Sequence, residues 1–549
     1  MKSLPKIADA DRTPVVDSLL DFIGQQNQII DELSQTVSVL KEKVVQLENE
    51  LAELKKGNKK PVFPKKSDKS GKKNDQSKAD DKRAGSSKRS KKGELKVDRV
   101  ERVKPNNLPK GSKLKRTRTV VIQDIVFHSQ NTQYILEQWE APDGTVFSAS
   151  LPKGVAIGSF GIDLHEYIIS QYHQCQVTEP LIREQLLERG VDISVGQIHN
   201  ILTDNKEIFH DEKDEILKAG LEVSSWIQTD DTGARHQGKT GYCTHIGNEY
   251  FAWFSSTDSK SRTNFLTILH SALHGGYKID SLALDYMKQD ELPKKILNRL
   301  SNSIKTDFRS LEDLEAWLSD FGITRARHLK IVREAVLFSG AVAAGLGTDL
   351  IILSDDAGQF NIPLLSHALC WVHEARHIKK LLPLTEDGKK AQNKALDDIW
   401  GYYRELKDYW NHPSDAEKEA LQAKFDEIFK CETCFASFNL AMSRISKKKD
   451  ELLMILECPT LPGHNNASEG DIREFVKRRK MSGGTRSASG RQCRDTFASI
   501  KKTCRKLGVS FCKLVKDRLS GTNSIPALSQ LIREKASENR LSTPATKLA

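Results

Sequence analysis

The sequence has 549 residues, which is enough for several domains and at least one large core, and its net charge of +11 favours an anionic partner. Hydrophobic residues make up 38%, the nine cysteines are spread out, and the longest apolar run, residues 335–347, is shorter than a membrane span. The opening residues lack the apolar core of a secretory signal. Together, these features exclude secreted, collagen-like and membrane-spanning classes, and a cytoplasmic protein is expected.

A heptad pattern indicates a coiled coil within residues 1–56. Leucines recur every seven residues, and an apolar residue lies three positions before each of them. The positions are Ile30, Val37, Val44 and Leu51, with Leu33, Leu40, Leu47 and Leu54. β-branched residues at a with leucine at d favour a parallel two-stranded coiled coil, so we expect a homodimer or higher oligomer. The alternative is a single amphipathic helix packed on the rest of the chain.

A basic linker is predicted over residues 57–118. Segment 55–96 carries 17 Lys and Arg against 5 Asp and Glu and has few large apolar residues, so we expect disorder. This composition fits either a solvated tether or non-specific DNA contact. Residues 119–155 then alternate apolar and polar residues around a Pro-Asp-Gly turn, which predicts a small antiparallel β unit.

Residues 156–220 are predicted to be helical and to contain a helix-turn-helix. A helix over 177–187 is followed by a turn with Gly190 and a second helix that Ser194 can cap. The second helix of such a motif can enter the major groove of DNA. An ordinary pair of short helices is the alternative.

An α/β domain is predicted over residues 221–520, with helical insertions near 275–347 and 379–458 and a C-terminal tail over 521–549. Its strands are expected at 226–229, 242–246, 250–254, 349–354 and 368–372. The first strand is predicted to end at Asp230 and the fourth at Asp355, each followed by a second aspartate. Active groups gather at the carboxyl ends of strands in such sheets.

A third carboxylate, Glu469, lies at the start of a helix predicted over 465–480. Three carboxylates can hold two Mg²⁺ ions that activate the attacking oxygen and stabilise the leaving oxygen of a phosphodiester. Segment 473–518 carries 15 Lys and Arg against 3 Asp and Glu, and can hold a polyanion beside those ions. Each basic segment has a net charge of +12, so the rest of the chain carries −13. Turn chemistry alone is the alternative explanation of either aspartate pair.

Three blocks, in this order, resemble the catalytic blocks of the insertion sequence 66 family of bacterial transposases. They read Gln228-Thr-Asp-Asp-Thr-Gly-Ala-Arg, then Leu353-Ser-Asp-Asp-Ala-Gly-Gln-Phe with His367-Ala-Leu-Cys-Trp-Val-His, and finally His464-Asn-Asn-Ala-Ser-Glu-Gly-Asp-Ile-Arg. Arg478-Arg-Lys and Gly483-Gly-Thr-Arg-Ser also resemble the family block after the glutamate. The resemblance implies a DDE transposase with a ribonuclease H-like mixed sheet and helical insertions.

The resemblance assigns the site residue by residue. It implies Asp230, Asp355 and Glu469 as catalytic metal ligands for two Mg²⁺ ions, with Mn²⁺ as a substitute, and leaves Asp356 as the alternative second aspartate. Asp231 stands where the family usually has Glu, and Gly470 where it usually has Arg. Active-site support is expected from Cys370, His373, Asn465 and Asn466. DNA contacts are expected from Arg473, Lys477, Arg478, Arg479, Lys480 and Arg486.

The predicted function is metal-dependent cleavage at the terminal inverted repeats of an insertion sequence and strand transfer into target DNA, at the bacterial nucleoid. A catalytically inactive DNA-binding relative and a nuclease without strand transfer are the alternatives. His373-Glu-Ala-Arg-His377 also satisfies the zinc-peptidase pattern H-E-x-x-H, although its basic neighbours repel Zn²⁺. Cys431 and Cys434 form a lone C-x-x-C pair, which is weak evidence for a zinc site.

Overall fold

The computed structural model describes most of the chain after residue 12. The described residues are 13–55, 97–103, 112–120, 127–152, 154–302, 307–383, 385–411, 413–430 and 435–542, with 122, 125 and 433. The chain forms two compact units, residues 1–49 with 132–549 and residues 50–131. Most of the predicted linker and the Cys431–Cys434 pair lie outside the described residues.

The N-terminal part contains one long helix, α1 (Pro14–Lys55), and two antiparallel β ladders. The ladders pair β1 (Gln138–Glu140) with β2 (Val146–Ser148), and β3 (Ala156–Ile157) with β4 (Phe160–Gly161). The carboxylate of Asp143 accepts the N–H of Thr145 at 2.9 Å in the β1–β2 turn. The β unit is shorter than predicted: no strand occurs in the described residues before 138, where most side chains are exposed and no core supports a longer sheet.

Four helices lie between β4 and the main sheet: α2 (Ile162–His173), α3 (Glu179–Leu187), α4 (Val195–Thr203) and α5 (Glu207–Val223). The predicted cap of α4 is confirmed, because the Ser194 hydroxyl accepts the Gln197 N–H and the Gln197 side chain accepts the Ser194 N–H. In the described part of the chain, no helix is long and apolar enough to cross a membrane.

A five-stranded mixed sheet lies in the larger unit, so the predicted α/β class is confirmed. Its strands are β5 (Trp226–His236), β6 (Lys239–Gly247), β7 (Ala252–Thr257), β8 (Ile351–Ser354) and β9 (Ser366–Leu369). Their spatial order is β7-β6-β5-β8-β9, with β6 antiparallel to both neighbours and β8 parallel to both of its neighbours.

Several predicted strand boundaries differ from the observed ones, and two of the differences matter for the site. Strand β5 does not end at Asp230 but continues to His236, because its backbone stays paired with β6 after its parallel pairing with β8 has stopped at Gln228. Strand β9 ends at Leu369, and the next helix, α11 (Trp371–Lys379), begins two residues later and includes the last residues of the predicted strand.

Helices fill both long connections around β8 and β9. The first contains α6 (Arg262–Leu273), α7 (Ser281–Gln289), α8 (Lys294–Asn302), α9 (Leu311–Asp320) and α10 (Ala326–Ala343). After α11, the second contains α12 (Glu386–Asn411), α13 (Asp415–Phe429), α14 (Ala436–Ser446), α15 (Lys449–Leu452) and α16 (Met454–Glu457). Trp371, Tyr402 and Phe425 lie in the apolar core of this second group.

The C-terminal part contains α17 (Asn466–Ser482), α18 (Ala488–Leu507), α19 (Phe511–Ser520) and α20 (Leu528–Ser542). Helix α18 covers the free edge of β7: Asp495, Ser499 and Thr503, one turn apart, accept the N–H groups of alternate strand residues at 2.7–3.1 Å. A covered edge cannot pair with another strand. The predicted C-terminal tail is wrong for residues 528–542, because α20 packs on α5 through buried apolar residues one turn apart.

Candidate active site

The register of two parallel strands places the first two predicted carboxylates side by side. Gln228 of β5 pairs with Leu353 of β8, so Asp230 is level with Asp355, each two residues further along. Residues in register on adjacent parallel strands project from the same face of the sheet. Asp355 immediately follows the last residue of β8, as predicted. The parallel pairing has stopped before this level, so both aspartates lie where the two strands separate.

No Lys or Arg side chain of the described residues forms an ion pair with either of these two carboxylates. Burial, followed by the negative charge of Asp355, raises the pKa of Asp230 to about 7, although the Asp231 N–H donates to the Asp230 carboxylate at 2.7 Å. The Oδ1 atom of Asp355 is buried and accepts no hydrogen bond from any described residue. Two crowded oxygen ligands with an unsatisfied buried atom fit a hard divalent cation.

The two neighbouring aspartates have other partners. Asp231 accepts hydrogen bonds from the Thr244 hydroxyl at 2.5 Å and from the Gln359 amide at 2.8 Å. Asp356 adopts a left-handed backbone conformation and forms ion pairs with Arg444 and Lys448. These contacts support Asp355, rather than Asp356, as the second carboxylate of the site.

Hydrogen bonds attach the first turn of α17 to β5 beside Asp230. Asn465 is fully buried, its side-chain amide donates to the Thr229 carbonyl at 2.9 Å, and its N–H donates to the Cys370 sulfur at 3.2 Å. The Ser468 N–H donates to the Gln228 side chain at 3.2 Å. Residues 465–468 are thereby fixed against the strand that carries Asp230, and Glu469 follows directly.

The Glu469 carboxylate belongs to the same site and is also held by cations. The charge of Glu469 adds to that of Asp355 in raising the pKa of Asp230. The Arg376 guanidinium donates to both Glu469 oxygens, at 3.1 and 3.4 Å, and His373 Nε2 lies 3.6 Å from Oε1. Among the described residues, no group of three or more His, Cys, Asp or Glu side chains is arranged to hold a metal ion.

The predicted support residues occupy different places. Cys370 is buried and accepts the hydrogen bond from Asn465, and burial raises the pKa of its thiol. His373 is half-buried beside Glu469, and burial lowers the pKa of its imidazole despite the opposing charges of Asp355 and Glu469. Asn466 is exposed and no side-chain contact to the site is described for it.

The predicted DNA-contacting residues separate into exposed and engaged side chains. Arg473, Lys477, Lys480 and Arg486 are exposed, and the first three share the face of α17 that carries Glu469. Arg479 is partly buried and donates to the Gly233 carbonyl of β5. Arg478 is 7% exposed and its guanidinium donates to the Tyr172 and Val177 carbonyls. The expected DNA contact of Arg478 is therefore wrong, because its charge is enclosed between α17 and the end of α2.

The two histidines of the H-E-x-x-H pattern have separate partners. His373 lies beside Glu469, whereas His377 Nδ1 contacts the buried Glu374 at 3.4 Å. Arg376, between them in sequence, occupies Glu469 with its guanidinium. This arrangement gives no support to a zinc peptidase centre.

The site also contains residues that the sequence patterns did not indicate. Arg376 contacts Glu469, and Gln228 fixes the helix that carries Glu469. Gln359 and Thr244 hold Asp231, the residue after Asp230. Gln228 and Gln359 lie within the motif blocks, and Arg376 lies three residues after the block that ends at His373. Their closeness in sequence to the motif residues is the one feature of the sequence that could have indicated them. Thr244 lies on β6, and only strand pairing with Asp231 reveals its role.

Comparison with known proteins gives two matches. A family model described as "Transposase IS66 family" matches residues 340–493, a range that contains Asp355 and Glu469. The uncharacterized protein y4jO of Sinorhizobium fredii (strain NBRC 101917 / NGR234) is 37% identical over 324 residues, which are 58% of this chain and 100% of that relative. These matches confirm the resemblance stated on the motifs: the chain belongs to the IS66 family of transposases.

Proposed function

We propose that this protein is a DDE transposase that cuts DNA at the ends of an insertion sequence and joins the freed ends to target DNA. The observation that carries the proposal is the register that brings Asp230 level with Asp355, with Glu469 close enough to act on the Asp230 charge. Asp230 and Asp355 form no ion pair with a cation among the described residues. Partly buried carboxylates without a cationic partner lower stability, and such groups are typical of functional sites.

The strand order of the sheet supports the prediction that the catalytic domain has a ribonuclease H-like fold. An antiparallel three-stranded meander, β5-β6-β7, is extended on the β5 side by two parallel strands, β8 and β9. In this arrangement the carboxyl end of the first parallel partner faces the middle of β5, where Asp230 lies. Glu469 reaches the same place from a helix rather than from a strand.

The three carboxylates would act together as metal ligands in the proposed reaction, and neighbouring residues hold them in position. Asp230, Asp355 and Glu469 would hold two Mg²⁺ ions, or Mn²⁺ in their place, after Glu469 has left Arg376 and moved towards the aspartates, because no three such side chains of the described residues are arranged to hold a metal ion as they stand. Bound there, the ions would supply activation of the attacking oxygen and charge stabilisation at the leaving oxygen. Asn465 and Gln228 keep Glu469 in place relative to Asp230 through their hydrogen bonds to β5 and α17. Cys370 contributes by fixing Asn465.

An exposed basic stripe continues from the carboxylates along α17. Arg473, Lys477 and Lys480 lie four, eight and eleven residues after Glu469, which puts all four side chains on one side of the helix. None of the three basic side chains pairs with a carboxylate in the part of the chain that the structure describes. We propose that the stripe binds the phosphates of a DNA strand whose scissile bond lies at the carboxylates.

Helix α1 is proposed to pair two copies of the chain. Its a and d residues Ile30, Leu33, Val37, Leu40 and Val44 are all about half exposed. The Glu42 carboxylate, at an f position, accepts the Ser437 N–H at 3.2 Å. The helix thus contacts the body on the side opposite its apolar seam, and a second α1 can cover the seam. Leu33→Asp is expected to halve the mass measured by light scattering.

The decisive experiment measures strand cleavage and joining on a plasmid that carries the DNA flanking both sides of the gene. The wild-type chain with Mg²⁺ is expected to give free 3′ hydroxyls and joined products. Asp230→Ala, Asp355→Ala and Glu469→Ala should each reduce both products by at least about a thousandfold, as expected for loss of a metal ligand. Asp356→Ala is the matched control, because it removes an aspartate of the same turn that has other partners.

The same assay separates the alternatives. Cleavage without joined products would identify a nuclease. Binding to the flanking DNA without cleavage would identify an inactive DNA-binding relative. Wild-type activity in Asp230→Ala would reject the DDE assignment altogether.

A further inference from the structure

Arg376 occupies Glu469, one of the three carboxylates of the proposed metal site. It lies on α11, and both of its terminal nitrogens donate to Glu469. Glu469 is 18% exposed, while Arg376 is 45% exposed, so the arginine can leave without disturbing packed residues. While the contact is made, Glu469 cannot offer the same oxygens to a metal ion.

The neighbours of Arg376 favour an exchange of partners. His373 Nε2 lies 3.2 Å from Arg376 Nη1 and accepts from it, because a guanidinium only donates, so Nε2 offers no hydrogen bond to Glu469 Oε1 at 3.6 Å and the carboxylate loses its donor when the arginine moves. A guanidinium matches a phosphate as well as it matches a carboxylate, since both accept two parallel hydrogen bonds. The exposed stripe of Arg473, Lys477 and Lys480 would bring phosphates to the same side of α17.

We propose that Arg376 couples metal loading to DNA binding: it occupies Glu469 in the free protein and exchanges that carboxylate for a DNA phosphate. The free protein would then bind divalent cations weakly, because Arg376 competes for the third ligand. DNA would draw the guanidinium away and make metal binding tighter, and by linkage metal would tighten DNA binding. This inference rests on the proposed function of the three carboxylates.

The test measures Mn²⁺ affinity by electron paramagnetic resonance, without DNA and with a duplex of the flanking DNA. Arg376→Ala is expected to bind Mn²⁺ about threefold to fivefold more tightly than wild type without DNA, which corresponds to the loss of one partly exposed ion pair. The gain in Mn²⁺ affinity on adding DNA should be smaller in this variant. Arg376→Gln should behave in the same way if Arg376→Ala folds poorly.

Two controls separate this exchange from a general change in charge. Arg444→Ala removes an arginine of similar exposure that pairs with Asp356, and it should leave both Mn²⁺ measurements unchanged. In a Glu469→Gln background, Arg376→Ala should have no effect on Mn²⁺ affinity, because there is no carboxylate to release. Equal effects of Arg376→Ala and Arg444→Ala would overturn the proposal, and so would an effect of Arg376→Ala that persists in the Glu469→Gln background.

Failure of the inference can be told from failure of the proposed function. Asp230→Asn that keeps wild-type Mn²⁺ binding and strand cleavage would reject the metal site itself. Asp230→Asn that loses both, together with unchanged Mn²⁺ affinity in Arg376→Ala, would reject only the exchange and leave Arg376 as a residue that positions Glu469.

Discussion

The two faces of α17 carry similar charges in opposite settings. On the inner face, Asp471 pairs with Lys502 at 3.2 Å and Lys506 at 3.0 Å, and Glu474 pairs with Lys501 and Lys502 at 2.5 and 2.6 Å. On the outer face, Arg473, Lys477 and Lys480 are exposed. The inner charges join α17 to α18, whereas the outer charges are available to a partner. The basic excess of segment 473–518 is therefore partly internal, and its net value overstates the charge offered to DNA.

The largest effect is expected from Asp471→Ala on the inner face. It leaves Lys502 and Lys506 with less of their balancing charge in a mostly buried site, so we expect a loss of about 3 kcal/mol in stability. Calorimetric unfolding of the metal-free protein measures it. Glu386→Gln, which removes an exposed partner of Lys389, should leave the unfolding temperature unchanged. Equal shifts in the two variants would remove the distinction between internal and surface pairs.

A smaller effect is expected from Arg478→Ala, which tests the contact between α17 and the helices before the sheet. The Arg478 guanidinium lies 3.6 Å from the centre of the Tyr172 ring and donates to the Tyr172 carbonyl at 2.9 Å. We expect a loss of about 2 kcal/mol in unfolding experiments. Arg478→Lys should recover less than half, because an ammonium cannot stack on the ring as a planar guanidinium does. Full recovery would mean that charge alone matters.

The pH dependence of stability should have opposite signs at the two kinds of carboxylate. Burial alone would raise the pKa of Glu474, but the charges and hydrogen bonds of Lys501 and Lys502 outweigh it and lower this pKa to about 2. Stability from Glu474 is present above its unfolded pKa, near 4, and is lost as the pH falls towards 2. The pKa of Asp230 is raised to about 7, so its contribution turns unfavourable as the pH rises from about 4 through 7.

Asp230→Asn tests this sign directly. Without metal, the variant should be more stable than wild type at pH 8 and have no advantage at pH 4, because it removes a charge that the fold disfavours. Calorimetry in chelator at pH 4, 6 and 8 gives the difference. A constant difference across these values would show that Asp230 does not titrate in this range.

The smallest effects concern single residues of the outer face. Lys477→Ala and Lys480→Ala should leave stability within about 0.5 kcal/mol of wild type. Each should reduce DNA affinity by a few fold for all sequences alike, and lower the slope of log affinity against log salt by about 0.9. Lys389→Ala, an exposed lysine on α12, is the control for non-specific charge loss. An unchanged salt slope in Lys480→Ala would place the DNA elsewhere.

The five strands were predictable because each combines an apolar run with a turn signal, and the motif blocks indicated the two aspartates that the strand register brings level with each other. The extension of β5 beyond Asp230 was not, because polar residues there are held by backbone pairing with β6 rather than by an apolar pattern. The burial of Arg478 was not predictable either, since its setting depends on Tyr172, 306 residues away in the chain. In the sequence Arg376 indicates only a charge that repels zinc, because its contact with Glu469 spans 93 residues.

The hydrogen bond from Asn465 to the Thr229 carbonyl has a consequence for biosynthesis. It joins residues 236 positions apart, so the carboxylates at 230, 355 and 469 cannot meet until most of the chain has left the ribosome. A chain released early, before α17, would have both aspartates and no glutamate beside them. An unfinished copy would therefore be unable to assemble the site, and nearby DNA would meet a complete site only after α17 has been synthesised.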